Sequence, residues 1–204
     1  MRVISYFTDL YAWDAEQLLK SLARSGVSDY SVERRPQLGS WERNTQYKAP
    51  FILEKLLEGD SVVWTDADSR IRQYPSLFDS LTCDVAFFFL TKEQVPEFEL
   101  PSNSTLSRES IDRHGYLQSG TMFFNNTPNS IALVEKWISI NEQDHVQWDQ
   151  WTLQTAIELI PGLVVENLPP EYVWIDGVSS AIFGSRKPVI EHLQASRRFK
   201  KLLR

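Results

Sequence analysis

Apolar and polar positions along the chain alternate between two periods. Residues 2–8 are apolar at Val3, Ile4, Tyr6 and Phe7 and read as a first strand. A helix is predicted from Asp14, a capping residue with Gln17 three positions on; Leu18, Leu19 and Leu22 form its buried face and Gly26 stops it. Residues 30–34 read as a second strand, so the chain opens as an α/β fold. Residues 36–46 are polar and predict an irregular stretch. A helix near Pro50, apolar at Phe51, Ile52, Leu53, Leu56 and Leu57, ends at Gly59. Val62-Val63-Trp64 then forms a buried run that breaks off into Asp66-Ala67-Asp68.

Tyr74 to Phe78 reads as a turn or short helix. Residues 84–90 are the most apolar run and predict a central strand. Residues 91–116 are long, polar and hold Pro96 and Pro101; they read either as an acceptor-side lid or as a surface insertion. A strand follows over 117–124, then a helix from Thr127-Pro128 to about Asn141. Asp149-Gln150 opens a further helix, with Asp149 as its N-cap, closed by Pro161-Gly162. Short strands are expected at 164–165, 172–175 and 189–190.

The 204 residues predict one domain, 1–204, with a full core. A charged fraction of 24% opposes disorder. No apolar run approaches the roughly 20 residues that span a bilayer. With no secretory leader at the start, and Cys83 as the only cysteine, the expected location is the cytosol. A net charge of −6 opposes non-specific nucleic-acid binding. The basic C-terminus (Arg197, Arg198, Lys200, Lys201, Arg204) is the exception. It covers a diphosphate, touches an anionic surface or nucleic acid, or is a solvated helix.

The candidate chemistry lies at Asp66-Ala67-Asp68. Carboxylates at i and i+2 of an extended chain share a side, and a strand's carboxyl end is where open α/β sheets gather ligands. Such a pair suits a hard divalent cation beside a phosphate, or a plain acidic turn. Lys48 reads as a phosphate contact or a surface lysine, His192 as a metal ligand or a structural histidine, and Asp149 as a sugar-orienting acid or a helix cap. Trp41, Trp148, Trp151 and Trp174 read as stacking platforms or core. The glycine fingerprint for dinucleotides and the Walker-type phosphate loop are both absent.

Taken in order, the first strand, Lys48 ahead of a helix, Trp64-Thr65-Asp66-Ala67-Asp68, Gln118-Ser119-Gly120, Asp149-Gln150 and His192 before a basic tail resemble GT-A type glycosyltransferases. The pattern is similar to that of glycogenin, the lipooligosaccharide galactosyltransferases and related nucleotide-diphospho-sugar transferases. The resemblance implies a Rossmann-like GT-A domain, a mixed central sheet flanked by helices. It also implies a metal-dependent transfer of sugar from a nucleotide-diphosphate sugar, UDP-linked, to an acceptor hydroxyl with retention. By the same resemblance Asp66, Asp68 and His192 would hold Mn2+ or Mg2+. Thr8 would line the base and ribose pocket. Lys48 would contact the sugar nucleotide, Arg198 stands where the family has a lysine on the diphosphate, so that Arg197 or Arg198 is expected to serve that group, and Gln118, Asp149 and Gln150 would lie at the donor sugar. Ala195 stands where the family has glycine, Gln118 where it has asparagine, and the family's Pro-Trp is missing. The acceptor stays open: a glycan, a lipid-linked sugar, a protein or a modified DNA base. Two other readings share the sheet, a sugar-phosphate nucleotidyltransferase and a non-catalytic nucleotide-sugar-binding domain.

Overall fold

The structure, a computed structural model, describes residues 1–94 and 104–199. The chain runs β1 (Arg2–Phe7), α1 (Ala12–Ser25), β2 (Tyr30–Arg34), α2 (Trp41–Gln46), α3 (Lys48–Leu56), β3 (Val62–Thr65) and β4 (Ser69–Ile71). It continues β5 (Val85–Leu90), α4 (Arg108–His114), β6 (Tyr116–Phe124), α5 (Pro128–Gln143) and α6 (Asp149–Ile157). It closes with β7 (Val165–Asn167), β8 (Trp174–Ile175), α7 (Ser179–Phe183), β9 (Ile190–His192) and α8 (Ser196–Phe199).

Six strands form the central sheet in the order β2-β1-β3-β6-β5-β7. All run parallel except β6, which is antiparallel to both β3 and β5. A smaller sheet, β4-β9-β8, stands beside it. Alternation along each strand sends side chains to opposite faces. Val62 and Trp64 join Ile4, Phe51, Ile52 and Trp137 in the core under α3, α5 and α6. Val63 joins Val3, Leu18, Leu22 and Phe123 in the core under α1. Both faces of β3 are thus buried, which is why its sequence carries no polar alternation. Gly26, at φ 83°, ends α1 in the left-handed conformation that costs glycine little. Thr127 caps α5 by accepting from the Ser130 N–H, with Pro128 at the first helical position. Cys83 is buried among apolar side chains, as expected, and burial pushes its thiol up to about 11.

Several local expectations are corrected. α1 begins at Ala12 with Tyr11 at its N-cap position, and Asp14 lies in the first turn instead, buried 3.7 Å from Arg70, whose guanidinium needs a counter-charge there. The irregular stretch 36–46 contains α2, capped by Ser40 and linked at Tyr47 to α3. α3 starts at Lys48, before Pro50. α4 occupies part of 91–116, and Pro96 and Pro101 lie outside the described residues. β4 went unpredicted because three residues carry too little periodicity to read. α6 is capped from Trp148, so the Asp149 carboxylate is released for other partners.

Candidate functional site

β3 and β6 set the register of the site. Thr65 pairs with Thr121, so Asp66 comes opposite Gly120, and the Asp66 N–H donates to the Gly120 carbonyl at 2.9 Å. The chain then turns: the Ser69 N–H returns to the Asp66 carbonyl at 2.9 Å. The two carboxylates therefore converge through a tight turn, and the extended i, i+2 geometry expected from sequence is corrected. β4 leaves that turn and pairs with β9, placing Ser69 opposite His192. The outcome is that Asp66, Asp68 and His192 each bring a ligand atom within 4.8 Å of the others.

Each member is held. The Asp68 carboxylate accepts from the Ala195 N–H at 2.6 Å, tying down the segment after β9. Burial, then the Asp66 charge, pushes its pKa up to about 6. His192 is buried against Thr121, with 2.8 Å between Nε2 and the hydroxyl, and burial lowers its pKa to about 4. Its imidazole is neutral near pH 7, the state in which histidine binds metals. Asp66 accepts from the Trp64 indole N–H at 3.2 Å.

Lys48 is no surface lysine: it is 5% exposed. Its ammonium lies 3.0 Å from Asp66 Oδ1, 3.0 Å from Asp149 Oδ2 and 3.2 Å from the Ser119 hydroxyl, which itself donates to Asp149 at 2.8 Å. Burial opposes the charge on Lys48, but Asp149 and Asp66 more than offset it, and its pKa is raised. The ammonium also stands 5.6 Å from the Trp64 ring centre. Asp149 is positioned from below. The Trp137 indole N–H donates to the Asp149 carbonyl and to the Thr152 hydroxyl, both at 3.0 Å.

These side chains open on a cavity of about 540 Å³. Thr8, Lys48, Asp66, Asp68, Gln118, Asp149, Gln150, His192 and Arg197 all line it, although they come from seven separate parts of the chain. The Arg198 side chain lies outside the described residues, and so does the tail beyond Phe199. Trp41 and Trp148 reach the cavity; Trp151 and Trp174 are buried. Ser119, part of the Gln118-Ser119-Gly120 motif but without a role of its own in the sequence, and Thr121, a plain strand residue, take their positions only from the pairing of β6 with β3.

No protein-family model and no curated protein matches the sequence. Solved structures do. One is a glycosyltransferase involved in the glycosylation of the major capsid of PBCV-1, with a TM-score of 0.66, 12% identity, and 99% of this chain and 97% of that one covered. A second is the galactosyltransferase LgtC in complex with donor and acceptor sugar analogs, with a TM-score of 0.59, 14% identity and coverage of 100% and 95%. A third is the glycosyltransferase GlyE of Streptococcus pneumoniae, with a TM-score of 0.60, 16% identity and 94% of this chain covered; the match spans 53% of that chain. The chain shares the GT-A fold with these proteins, as the order of its motifs led us to expect.

Proposed function

From the GT-A fold as premise, we propose that the protein is a metal-dependent glycosyltransferase that takes a UDP-sugar as donor. The observation that carries this reading is convergence. Two carboxylates from the turn after β3 and a neutral imidazole from β9 meet beside a buried lysine on one cavity, at the carboxyl end of β3.

The donor set fits Mn2+ or Mg2+. Carboxylate oxygens suit a hard cation, and the three groups, with ligand atoms within 4.8 Å of one another, would hold it together. One ring nitrogen of His192 would face the ion, and the Thr121 hydroxyl, 2.8 Å from Nε2, fixes the ring. Lys48 occupies Asp66 Oδ1 and leaves Oδ2. When bound, the ion neutralises charge that builds on the leaving diphosphate.

The chain's own residues do the remainder. Lys48 adds a fixed positive charge to the same diphosphate, stabilising it more as the bond to the sugar lengthens. Arg197 enters the cavity and serves the same group, and Arg198 is assigned to it by sequence position. Thr8, at the end of β1, lines the base and ribose side. Asp149, held by Lys48 and Ser119, orients the donor sugar with Gln150 and Gln118. The acceptor hydroxyl oxygen forms the new bond to the anomeric carbon. The bond to UDP breaks, its electron pair leaves with UDP, and the hydroxyl proton passes to the departing diphosphate. Retention rests on the resemblance of the motif order alone, and the anomeric NMR signal of the product reads it directly.

The whole chain serves this site as one domain. Among the described residues no helix is long and apolar enough to cross a membrane. A single buried cysteine supports action in the cytosol.

The test is a thermal-shift and turnover panel of nucleotide sugars with and without Mn2+, on the wild type and Asp68→Ala. Metal-dependent binding or hydrolysis of a UDP-sugar, lost in the variant, is expected. A panel in which no nucleotide sugar binds or is turned over with metal present overturns the reading.

A further inference from the structure

We propose that Trp41 and Trp148 form a saccharide-stacking wall that receives the acceptor, so that the acceptor is a pyranoside rather than a protein side chain or a DNA base. The inference rests on the glycosyl-transfer reading and adds the chemical class of its second substrate.

The two indoles come from α2 and from the cap of α6, and both are half-buried on the cavity. Their rings meet edge to face, with centres 6.0 Å apart at 78°. Behind them Trp148 stacks on buried Trp151 at 4.7 Å and 19°. This is a rigid aromatic surface with its back in the core and part of its front on the cavity. Rigidity comes from a buried amide staple: Gln46 Nε2 donates to the Asp144 carbonyl at 2.9 Å and to the Gln147 carbonyl at 3.0 Å, fixing α2 against the turn that leads to Trp148. A half-buried indole face offers large apolar area at little entropic cost, which suits the C–H face of a pyranose ring.

Position favours the acceptor over the nucleotide base. β1 and β6 flank β3 on opposite sides, so Thr8 and the Asp149–Ser119 pair stand on opposite sides of the Asp66 turn. Trp148 directly precedes Asp149, which puts the wall on the sugar side. Polar groups for hydroxyls are beside it. Gln150 lines the cavity and makes no side-chain hydrogen bond among the described residues, and Gln118 makes one weak contact to its neighbour's carbonyl, at 3.3 Å. Apolar wall plus spare amides is the combination that binds a ring with one greasy face and a polar rim.

The experiment titrates wild type, Trp41→Ala and Trp41→Phe with lactose, maltose and the methyl glucosides and galactosides, with and without UDP and Mn2+, following tryptophan emission and ligand-observed NMR. At least one saccharide binds the wild type. Trp41→Ala weakens it tenfold or more, Trp41→Phe restores most of the loss, and UDP–Mn2+ binding stays within twofold in all three proteins. Loss of UDP binding in Trp41→Ala would reassign the wall to the base and overturn the proposal. So would equal saccharide binding by wild type and Trp41→Ala, or a panel in which no saccharide binds. Saccharide binding is scored without nucleotide as well, so failure of the UDP-sugar reading shows separately, as absent UDP–Mn2+ binding.

Discussion

Gly120 is the position where one added methyl group tests the site most sharply. It lies on β6 opposite the Asp66 turn, and its backbone is in ordinary extended territory, so a side chain there is not strained by φ. The obstacle is the His192 ring. A Cβ at Gly120 would stand 2.9 Å from Cε1, 3.0 Å from Nδ1 and 3.3 Å from Nε2. Ordinary contact begins near 3.4 Å, so the ring must retreat by about half an ångström. His192 is buried and pinned by Thr121, so the retreat is borne by the packing around it. Overpacking of this kind costs about 1–3 kcal/mol. Metal geometry tolerates only about ±0.2 Å, so the same shift removes the imidazole from the ligand set. Gly120→Ala is therefore expected to lower Mn2+ affinity by about 10- to 100-fold, measured by calorimetry or by the Mn2+ EPR signal, and to lower the Tm by a few degrees. Gly26→Ala is the control. Nothing lies within 4 Å of a Cβ there, but φ is +83°, so it costs about 1 kcal/mol of stability and leaves Mn2+ binding alone. If Gly120→Ala binds Mn2+ like the wild type, His192 is not a ligand and the metal site is wrong.

Further outcomes follow from the same contacts. Lys48→Met leaves Asp149 buried without its cation; urea denaturation is expected to show a loss of about 3–5 kcal/mol, larger than for any exposed lysine. Trp137→Phe keeps an aromatic ring but loses the indole's second ring and the N–H that holds the Asp149 carbonyl and Thr152; a loss of about 1–2 kcal/mol from the N–H, with a cavity cost added, is expected, and donor turnover falls more than donor binding. Asp68 titrates near 6 in the folded protein, against about 3.9 in an unfolded chain. The native state then holds the proton more tightly, so the Asp68 contribution to stability is complete below pH ~4 and is lost as pH rises through about 6. A divalent ion competes with that proton, so the Mn2+-induced rise in Tm is expected to be larger at pH 7.5 than at pH 5; an equal rise at both would show that Asp68 does not bind the ion.

The sequence by itself determined the main strands of the central sheet and the helices α1, α3, α5 and α6. Continuous apolar runs at 62–64 and 84–90 mark strands buried on both faces, and the leucines of α1 mark one helical stripe, because burial imposes its period directly on residue choice. It also supplied the chemical types at the site, since the cation and diphosphate proposed for it call for carboxylates, an imidazole and a lysine whatever the fold does around them. Tertiary structure decided how those types meet. Nothing local to Asp149 says whether it caps α6 or faces Lys48, and nothing local to Ser119 or Thr121 says which partner each holds; the antiparallel pairing of β6 with β3 settles both. The Asp66–Asp68 turn, the short strand β4 and the staple from Gln46 were illegible for one reason. Each is stabilised by hydrogen bonds to residues distant in the chain, and a hydrogen bond, unlike a buried face, leaves no period in the sequence.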